Sequence, residues 1–214
     1  MQKLLTASIA IGLCTLPLYA NEHKVIAIPQ SPSAMSDAIQ QQIQTAYAAL
    51  NLQVQFVDAP AKRRLLMLRN NEIDAELFRI CSMADMFTDV IVIQQPLANL
   101  DLNAYFSNDS LKSNWRSNSK LRVAYVRGFY MAEQQIFAGT AVPVSEVEQA
   151  FALLQQQRVD VVLEDHESAA DYLNRNPAHT VGLTFITVHQ APVCHVISER
   201  NAALAAPLLQ QLQH

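Results

Sequence analysis

The chain has 214 residues, half of them hydrophobic, with 15 basic against 19 acidic side chains and a formal charge of -4. The charges are interspersed, so the basic footprint of a nucleic-acid binder is missing. No run beyond the first twenty residues approaches the roughly 20 apolar residues needed to span a bilayer, and the length suits one large domain or two small lobes.

Residues 1–20 have the pattern of an export signal: Lys3 supplies a positive start, Leu4 to Leu18 an apolar stretch broken by Pro17, and Ala20 a small residue at a cleavage position. The mature chain is expected to start at Asn21 and to be exported. After it, "KVIAIP" (24–29) predicts a strand, Ser33 an N-cap, and Ala34 to Leu52 a helix with Ile39, Ile43, Ala46, Tyr47 and Leu50 on one face. "VQFV" (54–57) is a second strand, 61–71 a helix opening after Pro60, "IDAELFRI" (73–80) a third strand and "VIVI" (90–93) a fourth. This alternation predicts parallel βαβ units. Residues 108–120 are polar and aperiodic, and then the rhythm restarts with strand 121–126, the Arg127–Gly128 turn and a helix from about Met131. "VPV" (142–144) leads to Ser145, which with Glu148 forms an expected capping box for the next helix. "VDVVL" (159–163) is a strand and 167–174 a helix. Two further strands, 183–188 and 193–198, precede a closing helix through Leu204, Leu208 and Leu212. The expected fold class is α/β with two lobes and a cleft between them.

Cys81 and Cys194 remain after cleavage at Ala20. An even pair in an exported protein suits a disulfide, while two buried thiols behave as small hydrophobes. His189 and His195 are six apart, which fits neither a helix face nor a zinc loop, and there is no CxxC. No metal and no cofactor are expected.

Three segments carry a family resemblance: "APAKRRLLMLRNNEIDAEL", "LRVAYVRGFYMAEQ" and "LLQQQRVDVVLEDHESAADYL". Together they make the exported chain similar to the type 2 periplasmic solute-binding proteins, specifically the amino-acid-binding family 3. The resemblance implies the two-lobed periplasmic binding protein type 2 fold with a hinge, and lobes of 21–103 with 190–214 and of 104–189. In that arrangement Cys81 and Cys194 both fall in the first lobe, and a bridge between them is expected.

In the family, the Asp five residues after the Val-Asp aspartate accepts the ligand's ammonium, and counting five from Asp160 reaches Asp165. A carboxylate there, beyond the carboxyl end of a strand, makes charge-assisted hydrogen bonds to an amine. Asp165 also suits the cap of the helix that follows, and both roles are compatible. Asp160 is expected to orient its own strand-turn backbone, and Glu164, His166 and Glu167 to be solvated rim residues. Backbone N–H groups after "VRGFY" suit an anion, but Phe129 and Tyr130 stand where family members carry small hydroxyl residues. Tyr130 still offers a hydroxyl, and Arg127 either supplies charge or is a solvated turn residue. The family's carboxylate-binding Arg has no counterpart between Ile80 and Asn108, so Arg79 at the end of its strand takes that place, unless Glu76 claims it in an ion pair. Ser31, Ser33 and Phe56 are further candidates for the same wall.

The implied function is reversible capture of a small polar, zwitterionic or amino-acid-like solute by a monomer whose lobes close over it, for an inner-membrane permease or sensor. The alternatives are a binding module that has lost amino-acid specificity, and a dehydratase-like enzyme with Glu164, Asp165 and His166 as acid and base.

Overall fold

The structure is a computed structural model that describes residues 23–29 and 33–213. The expected export signal and Ser31 lie outside the described residues. Among the described residues no helix is long and apolar enough to cross a membrane.

Eight strands form one mixed sheet. They are β1 (His23–Ile28), β2 (Gln53–Asp58), β3 (Ala75–Ile80), β4 (Val90–Phe106), β5 (Arg122–Val126), β6 (Thr140–Val144), β7 (Val161–Asp165) and β8 (Thr184–Ser198). Their spatial order is β2-β1-β3-β8-β4-β7-β5-β6. β2, β1 and β3 are mutually parallel, as are β7, β5 and β6. The two long antiparallel strands β8 and β4 run between these triplets. Two parallel α/β units joined through two long strands make the two-lobed architecture.

Six helices cover the sheet: α1 (Ala34–Ala49), α2 (Ala61–Arg69), α3 (Tyr130–Glu133), α4 (Val147–Gln155), α5 (His166–Arg175) and α6 (Ala205–Leu212). Ser33 caps α1, accepting from the backbone N–H of Ser36, whose hydroxyl accepts from the backbone of Ser33 in return. A serine thus does the reciprocal work usually given to Glu or Gln. The expected Ser145–Glu148 box is not formed. Glu148 turns to Arg175 at 3.2 Å, and the Ser145 N–H donates to Gln149 instead. The Asp160 side chain ties its segment to β5 rather than to its own turn, accepting from the backbone N–H of Arg122 at 2.8 Å.

Three expected elements differ. The strand expected at 90–93 continues to residue 106, and the two strands expected at 183–188 and 193–198 are one, running from 184 to 198. The joins carry Pro96 and Pro192, which break an apolar reading, yet each strand continues through register shifts in the β4–β8 pairing. The helix expected from Met131 is a single turn, because Gln134 and Gln135 give way to the exposed Ile136.

The largest core cluster runs from Ile26, Ile39 and Tyr47 through Leu100, Leu102 and Val193 to Phe106, Trp115 and Val161, so both lobes share it. A second cluster around Phe151, Leu154 and Tyr172 belongs to the β5–β7 side. A third, around Leu68, Ile73 and Met83, contains the Cys81–Cys194 disulfide, whose sulfurs lie 2.02 Å apart. Both bridge residues are buried.

His195 is fully buried beside the disulfide strand. Its Nδ1 faces the carbonyl of Leu77 at 3.1 Å, and a carbonyl only accepts, so Nδ1 carries the hydrogen. Nε2 must then accept from the Tyr47 hydroxyl at 3.0 Å. Burial holds this imidazole neutral and lowers its pKa to about 4. The unfolded chain, with an ordinary histidine near 6.5, therefore binds the extra proton between pH 6.5 and 4. Stability from this group is complete above pH 6.5 and declines as pH falls towards 4, by about 3 kcal/mol. Urea unfolding at several pH values is expected to give a shallower acid slope for His195→Gln than for the wild type, and equal slopes would refute the assignment.

Candidate functional site

A cavity of about 470 Å³ lies at the carboxyl ends of the six parallel strands. Residues just past β1 (Pro29, Ser33), β2 (Pro60), β5 (Arg127 to Tyr130), β6 (Ser145, Glu146) and β7 (Glu167, Ser168) line it, with Arg79 and Ile80 from the end of β3. This is where open α/β sheets bind ligands, because strand ends leave loops and helix starts without sheet partners. The remaining lining is largely apolar, with Met35, Met83, Met86, Phe78, Phe87 and Leu100 prominent.

The first-lobe wall carries a three-charge cluster. Glu76 is fully buried on β3 and accepts from Arg64 Nε at 2.7 Å and from Arg79 Nε at 2.8 Å. Arg64 comes from α2 and also donates to the carbonyl of Ala59 at 2.8 Å. Burial lowers the Arg64 pKa, and the Glu76 carboxylate opposes that shift. Two guanidinium groups share one carboxylate, so this wall keeps a net positive charge beside the cavity. That suits a carboxylate ligand group. Arg79 thus lines the cavity and also makes the ion pair with Glu76.

The second-lobe wall has the opposite sign. Glu133, Glu146, Glu164, Asp165 and Glu167 line it against Arg127 alone. Asp165 caps α5, accepting from the Ser168 N–H at 2.8 Å, while its residue borders the cavity. The expected cap is formed, and the residue stands at the cavity edge. Glu164 departs from its expected place on a solvated rim: it is 3 % exposed, on β7, with Oε1 accepting the Asp165 N–H at 3.0 Å. Burial raises its pKa well above the carboxylate range, and the Asp165 charge adds to the rise. β7 runs two residues further than its apolar letters, and this extension carries Glu164 inward. Of its neighbours, His166 is exposed and Glu167 half-buried.

Arg127, Phe129 and Tyr130 line the cavity as expected, with Arg127 exposed and the two rings half-buried. The anion cradle expected behind Gly128 is largely occupied. The Gly128 N–H donates to Glu133 Oε1 at 2.8 Å and the Phe129 N–H to the carbonyl of Val126 at 3.1 Å, while α3 is one turn long. Ser33 lines the cavity but works as the α1 cap. Phe56 does not line it. Its side chain packs against the shared core, because β2 is an edge strand whose alternate residues face α1. Arg64 and Glu164 are not evident from the sequence. Arg64 sits in a run of three basic residues that nothing local ranks, and Glu164 stands among four polar residues with the composition of a solvated rim.

These features define the fold of the two-lobed, type 2 periplasmic binding proteins. An ancestral arginine-binding protein bound to glutamine superposes with a TM-score of 0.73 at 16% identity, covering 91% of this chain and 92% of that one. The GluR0 ligand-binding core in complex with L-glutamate gives 0.70 at 15% identity, with 89% and 90% covered. The VFT2 domain of the Bordetella pertussis protein BvgS gives 0.67 at 16%, with 89% and 87% covered. These likenesses concern the fold. In sequence, an uncharacterised protein of Shewanella oneidensis is 27% identical over 179 residues, 78% of this chain and 67% of the relative. No protein-family model matches the chain.

Proposed function

We propose that this protein is an exported solute-binding protein that captures a small zwitterionic, amino-acid-like solute in the interlobe cavity. The observation that carries the reading is the opposition of charge across it, with Arg64 and Arg79 on one wall and Asp165 on the other. The carboxylate of the solute meets the guanidinium side and its ammonium meets Asp165. The residue divisions are 21–103 with 190–214 for one lobe and 104–189 for the other. The register break between Leu102 and Asn103, opposite His189, supports a hinge at that level. Closure excludes water and strengthens both ion pairs relative to an open surface. The structural neighbours include an amino acid ABC transporter substrate-binding protein bound to L-arginine, which supports delivery to a permease; reporting to a membrane sensor is the other route proposed. Solute capture without turnover is the activity proposed, and the neighbours are binding proteins rather than enzymes.

Calorimetry with L-arginine, L-glutamine and L-glutamate tests it. Arg79→Gln and Asp165→Asn are each expected to cost about 2–5 kcal/mol of affinity, because each leaves a ligand charge enclosed without its partner. Asn is chosen at 165 because it caps helices as well as Asp, so the loss of charge is separated from the loss of the cap. Unchanged affinity in both variants overturns the site, and absence of binding by all three solutes overturns the amino-acid-like reading.

A further inference from the structure

Among the acidic groups that the zwitterion reading does not use, one is buried. Glu164 is buried on β7 with Oε1 satisfied by the backbone of Asp165, whereas Oε2 has no hydrogen-bond donor among the described residues. A buried ionised oxygen without a donor is costly. The neighbouring Asp165 charge adds to the burial that disfavours an ionised Glu164. A proton on Glu164 removes both the uncompensated charge and the repulsion.

The surroundings do not supply a compensating cation. From β4, Asn103 and Tyr105 are uncharged, with the Asn103 amide donating to the Tyr105 hydroxyl at 3.1 Å and lying 3.5 Å from His166 Nδ1. From α4, Glu148 adds a negative charge, itself paired with Arg175 of α5. α5 contributes the exposed His166 and the cavity-lining Glu167, and Glu146 borders the cavity just before α4. β5 brings Tyr125 and Val126, followed by the exposed Arg127.

We propose that Glu164 and Asp165 form a two-carboxyl subsite for a cationic group of the ligand, in which Glu164 carries a proton that passes to solvent when the cation is captured. This rests on the reading that places the ligand's cationic end on the second-lobe wall. An ammonium or guanidinium arriving at the pair takes over the role of the Glu164 proton: it offsets the repulsion and supplies Oε2 with an N–H donor. The wall then favours solutes whose cationic end brings several N–H donors to both carboxyl groups. The sign of the pH effect follows. The cation favours ionised Glu164, so affinity rises with pH while the ligand-free protein still holds the proton, and levels off above that titration.

Two measurements test this. Carbon NMR of the Glu164 side-chain carboxyl in the ligand-free protein, assigned by its loss in Glu164→Gln, is expected to titrate above the ordinary carboxylate range. An ordinary midpoint overturns the proposal without any ligand. Calorimetry with L-arginine, L-lysine and L-glutamine in buffers of different ionisation heat is expected to show about one proton released per ligand bound, with affinity rising by up to about tenfold per pH unit in that range. Glu164→Gln is expected to abolish proton release and flatten the pH profile, an outcome that a purely structural Glu164 would not produce. Binding without proton release, or equal release in the variant, overturns this coupling while leaving the capture reading intact. Failure of all three solutes to bind overturns both.

Discussion

The double replacement Cys81→Ala with Cys194→Ala is expected to lower folding stability by about 4–5 kcal/mol. The bridge joins positions 113 residues apart. Closing a loop of about 100 residues removes roughly 4.7 kcal/mol of unfolded-chain entropy in the chain-entropy account. The bridge also fastens the turn after β3 to β8 inside a buried cluster, so its removal leaves two small gaps as well. For a chain of this size each kcal/mol moves the melting midpoint by about 2–4 °C. Urea unfolding with and without reductant measures it: the variant should be insensitive to reductant, and the wild type should approach the variant once reduced. A difference below about 1 kcal/mol would refute the entropic argument for this bridge.

Glu76→Gln is the other large effect, an expected loss of about 3–5 kcal/mol. Glu76 has no exposed surface and is the carboxylate shared by two guanidinium groups, one of which, Arg64, is itself buried. A neutral amide of nearly the same shape removes the counter-charge from the buried Arg64, and an uncompensated buried charge is far costlier than a lost surface pair. Denaturant unfolding gives the loss. Adding Arg64→Met to the variant is expected to recover part of it, since that buried cation is then gone. No recovery would mean that the cluster is held by packing rather than charge.

Much of the fold was legible because the six parallel strands are short apolar runs bounded by Pro, Gly, Asn and Asp, and the α1 helix has an unbroken apolar face. The two long strands were not legible as single elements. Pro96 and Pro192 mark turns in a local reading, and only pairing with a distant strand keeps the chain extended through them. Asp165 and Arg79, which both border the cavity, were singled out by the family resemblance and by the tendency of ligands to bind beyond strand ends. Glu164 was hidden because burial is a property of the neighbours: its letter sits among polar letters, and only the extra length of β7 turns it inward. Arg64 was hidden for the same reason, since in "AKRR" only the helix phase decides which basic residue meets Glu76.

The pairing of β8 has a consequence for the order of assembly. β4, β5, β6 and β7 have all their mutual partners once residue 165 is available, and α5 follows by residue 175. β3, although it precedes them in the chain, pairs with β8, which ends at Ser198. A chain delivered from its N-terminus therefore pairs each half-sheet internally before β8 arrives, while the open edges of β3 and β4 and the thiol of Cys81 wait. The sequence offers Cys81 no competing cysteine between itself and Cys194, so the delay brings no wrong disulfide within that span. The last strand to arrive joins the sheet between β3 and β4, and with it the sheet becomes continuous.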